Sequence, residues 1–169
     1  MADKGIHDVA LGMLARRALS PAEVKERLLR KGFAVEGVAA ELTRLRRLGM
    51  LGEDELARAV VREQLRTGHG RRSVVAALRR RRIAREAVDD ALGDIRPALE
   101  ADALASALAK ATRRHPRWRR LPEERRKVIR YLLARGFPFD QVSRAARATG
   151  RDDLGPSETD DSGDSPDFS

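Results

Sequence analysis

The segment Val24 to Leu42, VKERLLRKGFAVEGVAAEL, aligns without a gap on Val74 to Leu92, VVAALRRRRIAREAVDDAL, and on Val128 to Ala146, VIRYLLARGFPFDQVSRAA. Val24, Val74 and Val128 coincide, as do Leu28, Leu78 and Leu132. The same register matches Phe33 with Ile83 and Phe137, and Val38 with Val88 and Val142, at offsets of 50 and then 54 residues. Self-similarity of this kind marks a repeat architecture, in which each small unit leans on its neighbours.

Each segment reads as helix, short turn, helix. Ser20-Pro21-Ala22-Glu23 has the pattern of a capping box with proline at the first helical position, so a helix is expected to begin there. Gly32 and Gly136 fall where a left-handed residue would end the first helix of a pair. Val38, Leu42, Leu45 and Leu48 then form one apolar stripe, closed by Gly49. Upstream of each pair lies a further amphipathic segment. Glu55 to Leu65 places Leu56, Val60 and Val61 on one face, and the 50-residue offset returns to Ile6, Ala10 and Leu11. A third such segment is expected from about Glu100 to Arg113 with Leu104 and Leu108 inward, and its longer connection, RRHPRWRRLP, accounts for the four extra residues.

The fold class that follows is all-α: three tandem three-helix, helix-turn-helix-like repeats in an elongated modular array, with no strand. The expected units are residues 1–49, 50–96 and 97–149, followed by a disordered acidic tail over 150–169.

Charge narrows the partners. The chain of 169 residues has 35 basic and 26 acidic side chains, a net charge of +9. The last twenty residues hold one cation and seven anions, so residues 1–149 carry +15. Such a potential attracts polyanions or an acidic protein surface. Thirty of the cations are arginine, a preference that codon bias in a GC-rich genome also produces. Cysteine is absent, which excludes disulfides, thiolate metal sites and cysteine nucleophiles. With no long apolar run and no signal-type N-terminus, the expected protein is soluble, cytoplasmic and monomeric.

Read in order, LLRKGF (Leu28 to Phe33), LRRLGMLGEDELARAVVREQLRTGHG (Leu45 to Gly70) and VVAALRRRRI (Val74 to Ile83) resemble the RecX family, regulators of the recombinase RecA. The resemblance covers roughly Val9 to Arg147. The family usually has an acidic residue and then an aromatic near Gly52-Glu53-Asp54-Glu55-Leu56, and a glutamate and a glycine where this chain has Ala77 and Arg82. The resemblance implies a helical modular protein that lies along the groove of a RecA filament on single-stranded DNA. It would inhibit strand exchange and ATP hydrolysis and promote disassembly, without being an enzyme, and some family members bind DNA directly.

The residues themselves point away from catalysis. His7, His69 and His115 lie far apart with no ligand spacing, and Asp89, Asp90 and Asp94 sit among arginines as in a solvated ion-pair surface. TGHGRR lacks the spacing of a phosphate-binding P-loop. No cofactor or metal is therefore expected. The binding candidates are three basic clusters. Arg71 and Arg72 stand at a helix start, where N–H groups favour anions. Arg79, Arg80, Arg81 and Arg82 form an unbroken run. Arg113, Arg114, Arg117, Arg119 and Arg120 surround Trp118, which could stack on a base or fill a seam between helices.

Two alternatives remain at this level. A sequence-specific helix-turn-helix binder is disfavoured, because Glu36, Glu41, Asp89 and Asp90 on the second helices would face phosphate. A nonspecific helical DNA binder acting without RecA is the runner-up. The tail reads as solvated, with masking of the basic surface, or display of Phe168 in DSPDFS, as its other possible roles.

Overall fold

The computed structural model describes residues 5–151, and every regular element among them is a helix. In chain order these are α1 (Ile6–Leu14), α2 (Pro21–Arg30), α3 (Val35–Arg47), α4 (Glu53–Arg66), α5 (Arg71–Arg80), α6 (Arg85–Gly93), α7 (Pro97–Arg114), α8 (Pro122–Ala134) and α9 (Phe139–Arg151). They form three successive three-helix units. The expected disorder at 152–169 lies outside the described residues, and α9 itself continues through the first two residues of the expected tail.

Local chemistry sets the helix ends. Ser20 Oγ accepts from the Glu23 N–H at 3.1 Å while the Glu23 carboxylate accepts from the Ser20 N–H at 2.9 Å, so the capping box forms as its sequence pattern implied. The second helix of each unit ends in the same way. Gly32, Arg82 and Gly136 take left-handed φ values of +89°, +50° and +85°. The next residue then donates its N–H back to Leu28, Leu78 or Leu132, at 3.3, 3.5 and 3.3 Å. This is the Schellman closure, and arginine at its left-handed position costs about 1 kcal/mol relative to glycine. The longest of the three bonds belongs to the unit that carries the arginine.

The repeated apolar columns form the core. Val24, Leu28, Val74, Leu78, Val128, Leu132 and Val142 are all inaccessible to solvent. Two buried clusters result. One comprises the first unit together with Leu51, on the connection just past its expected end, and the other runs unbroken through the second and third units, from Leu56 to Ala146.

The third unit departs from the expectation in detail. α7 starts at Pro97, and Leu104 and Leu108 pack against the core as expected but stay half-buried, whereas Ala103, Ala107 and Ala111 are buried. A stripe of alanines lets another backbone approach closely: a Cβ added to Gly68 would sit 3.4 Å from that of Ala107. α8 also begins six residues before Val128, whereas α2 and α5 begin three residues before Val24 and Val74.

Gly70 and Gly136 lock the second unit to the third. The Gly70 N–H donates to the Arg135 carbonyl at 2.8 Å and the Arg72 N–H to the Gly136 carbonyl at 3.2 Å. A Cβ at Gly70 would lie 2.6 Å from the Gly136 carbonyl carbon, and one at Gly136 would lie 2.5 Å from the Ser73 nitrogen. Gly32 has nothing within 4 Å of its missing Cβ. Gly32→Ala is therefore expected to cost about 1 kcal/mol, from backbone strain alone. Gly70→Ala and Gly136→Ala are expected to cost about 2–4 kcal/mol, because overpacking is added and the docked backbones must separate. Urea unfolding of the three variants measures the difference.

Candidate nucleic-acid and filament interface

The arginines singled out by sequence have three different fates. Arg71, at the first turn of α5, points back into the protein, donating to the Leu92 carbonyl at 3.3 Å and facing the Glu100 carboxylate at 3.5 Å. At this helix start, carbonyls of the α8–α9 turn already accept from the amides of Gly70 and Arg72, which leaves fewer donors for an anion than the sequence implied. The Arg72 side chain remains exposed.

The run from Arg79 to Arg82 divides in the middle. Arg79 and Arg80 are exposed on the last turn of α5, and neither forms an ion pair with a described residue. Arg81 is turned toward the first unit, where its Nη2 donates to the Ala18 carbonyl and to Glu23 Oε2 at 3.2 Å. Its own carbonyl accepts from the Ser20 hydroxyl. Arg82 Nη1 reaches Glu26 Oε2 at 2.8 Å. Half of the run is thus committed to an internal joint.

The third cluster lies elsewhere. Arg113 and Arg114 end α7, and Arg117, Arg119 and Arg120 are exposed on the connection to α8. Trp118 is only 5% exposed and belongs to the core shared by the second and third units. Its ring is taken up by packing, so it is removed from the set that could stack on a base. Arg119 lies over that ring, 5.8 Å from the centroid. Because Arg71 pairs at Glu100 and α7 rises ~1.5 Å per residue, these arginines lie about 20 Å along α7 from the α5 start.

The structure also draws attention to cations beyond those selected. Arg125, Arg126, Lys127 and Arg130 on α8 are exposed, so residues 113–130 hold nine cations against Glu123 and Glu124. The signal was present in the sequence as charge density, but no repeat column marks it. Arg135 is better marked, since Lys31, Arg81 and Arg135 share one column. Its Nη1 donates to the Thr67 carbonyl at 3.0 Å and lies 3.5 Å from His69 Nε2, and its guanidinium covers Tyr131 at 5.0 Å.

The histidines and acids have structural partners. His7 Nδ1 is 2.8 Å from the buried Glu41 and ties α1 to α3. Arg58 meets Asp94 and Arg85 meets Asp89, as expected for an ion-pair surface. Among the described residues no group of His, Asp and Glu could hold a metal, and no helix is long and apolar enough to cross a membrane.

Comparison with known proteins identifies this arrangement. Family models for the second and third three-helix domains of RecX match residues 53–92 and 99–146. The regulatory protein RecX of Halorhodospira halophila is 35% identical over 155 residues, covering 90% of this chain and 92% of its own. This chain belongs to the RecX family of regulatory proteins. RecX of Chromohalobacter salexigens is 36% identical over 141 residues, covering 82% and 88% of the two chains. The crystal structure of RecX from Lactobacillus salivarius superposes with a TM-score of 0.73 at 18% identity, covering 86% of this chain and 94% of that one, a likeness of fold.

His69 makes the joint between the second and third units sensitive to pH. Partial burial, and then the nearby Arg135 guanidinium, hold its pKa below the ordinary value of 6.5. Its Nδ1 is 3.0 Å from the Thr67 hydroxyl. Below that pH the unfolded chain takes up a proton that the folded joint resists, so stability falls as pH drops through this window and is unaffected by this group above it. Thermal unfolding between pH 7.5 and 5 is expected to show this loss, and His69→Gln to reduce it.

Proposed function

We propose that this RecX-family chain binds the groove of the RecA nucleoprotein filament on single-stranded DNA, inhibits strand exchange and ATP hydrolysis, and promotes filament disassembly. The observation that carries this reading is a family fold whose exposed cations form two patches on successive units. One is Arg79 and Arg80 with Arg72 nearby on α5, and the other is the 113–130 stretch. A helical filament offers repeated binding surfaces, and an array of rigid units can follow them by shape as well as charge. Arginine also suits phosphate, because its planar fork donates two parallel hydrogen bonds.

A second reading is nonspecific DNA binding without RecA, favoured by the density of cations at residues 113–130. RecA ATP hydrolysis on single-stranded DNA, measured at substoichiometric amounts of this protein and again with DNA in excess over RecA, separates the two. Filament binding predicts inhibition that survives excess DNA. Competition for DNA alone predicts that it vanishes.

The structure changes which arginine substitutions are informative. Arg79→Gln with Arg80→Gln leaves the hydrogen bonds and ion pairs of the internal joint in place. It is expected to weaken inhibition several-fold and to lower the salt dependence of single-stranded DNA binding by about 0.7 in log–log slope for each residue that contacts phosphate. Retained helicity by circular dichroism, with unchanged inhibition and slope, would exclude this pair from the interface.

A further inference from the structure

The two joints of the array are built differently. The second and third units share an apolar cluster, whereas the first unit's cluster is separate from it and takes in only Leu51, on the connection to α4, from beyond residue 49. A cleft of about 410 Å³ lies where the first two units meet, with Arg17 and Ala18 on one side and Leu56, Val60, Ala77 and Arg80 on the other. The hydrogen bonds and ion pairs that cross this joint are the Ser20 hydroxyl on the Arg81 carbonyl, Arg81 on the Ala18 carbonyl and Glu23, and Arg82 on Glu26. Glu23 stands between two guanidinium groups, since Arg17 Nη2 also reaches it at 3.0 Å. Burial raises its pKa, but the Ser20 amide and these arginines outweigh that and hold it below the ordinary carboxylate value.

The same joint retains local structure that works against it. Arg82 keeps φ at +50° where the other two units have glycine, and Arg81 Nε is buried without an acceptor among the described residues. Strain of this kind persists only where surrounding contacts impose it. At Arg82 the helix-ending turn common to all three units imposes the positive φ, and the side chain carried there is tied to Glu26 of the first unit. At the other joint Arg135 repeats the reach of Arg81, donating to the Thr67 carbonyl, but there it supplements two backbone hydrogen bonds and a shared core.

We propose that Arg81 is a positioning residue, and that with Arg82 it makes the joint between the first unit and the rest an electrostatic hinge whose angle loosens as salt rises. Arg82–Glu26, about half-exposed on both sides, loses most of its attraction as the screening length falls to about 3 Å at 1 M salt, whereas the less exposed Arg81–Glu23 pair is screened less and keeps part of its hold. An apolar joint is not weakened in that way. The consequence for filament binding rests on the function proposed above, because a protein that follows a groove needs its units held at a set angle. The hinge itself does not depend on that reading.

The absence of cysteine from the chain makes the test direct. Ala40→Cys on α3 and Ala105→Cys on α7, both exposed, give two unique dye positions for single-molecule energy transfer. At low salt the distance distribution is expected to be narrow, and at 1 M salt about twofold broader. Arg81→Gln is expected to show the broad distribution already at low salt, and Arg81→Lys to recover part of the narrowing through Glu23. Arg82→Gly restores the residue that the other two units use, so it should fold, and it too should broaden the distribution. Arg135→Gln serves as the control and should leave it narrow. A distribution indifferent to salt, or unchanged in both Arg81→Gln and Arg82→Gly, overturns the hinge. Failure of wild-type protein to inhibit RecA would overturn the functional reading alone.

Discussion

A left-handed residue at the end of a helix leaves carbonyls directed outward, and the array is assembled on that constraint. The chain can leave its helical path after Lys31, Arg81 and Arg135 only by adopting positive φ at the next position. The turn then presents oxygen atoms that the helix can no longer satisfy internally. The preceding unit meets this need with the donors at the start of its own second helix. Ser20 donates to Arg81, and Gly70 and Arg72 donate to Arg135 and Gly136. One turn therefore ends a helix and seats a neighbour, which explains why 50-residue units that would be marginal alone hold together.

The helices and much of the core were legible because they depend on local chemistry and a repeated apolar period. Leu28, Leu78 and Leu132 occupy one column in the sequence and are equally buried. What escaped was decided by proximity between distant residues. Leu104 and Leu108 do pack against the core from α7, as read, but close approach around Gly68 makes Ala103, Ala107 and Ala111 the fully buried positions. Trp118 among arginines reads as a seam-filling core residue or as a stacking platform, and its burial decides for the core. The division of Arg79 to Arg82 depends on Glu23 and Glu26, more than fifty residues earlier, which no local pattern records.

The arginines show how little a charge count says about the role of each charge. Arg62 and Arg66 form exposed pairs with Glu55 and Glu63, of the kind that water and salt screen and that contribute little to stability. Arg81 is half-buried, serves as a hydrogen-bond donor to backbone, and accepts an unmet Nε as part of that geometry. Arg79 and Arg80, beside it in sequence, face outward without a described partner. Only cations of this last kind keep their full field for a partner, so the surface available to an anion is smaller and more localised than the net charge implies.

The extra turn at the start of α8 has a meaning beyond local length. By beginning six residues ahead of Val128, the helix carries its first amides about 4.5 Å past the point where α2 and α5 begin relative to their repeat. The position that would correspond to Ser20 and Gly70 is held by Glu124, inside the helix, with its side chain bound to the Arg117 amide. Neither a small hydroxyl nor a bare backbone is offered there. The device that joins one unit to the next is thus present at the starts of α2 and α5 and absent at the start of α8.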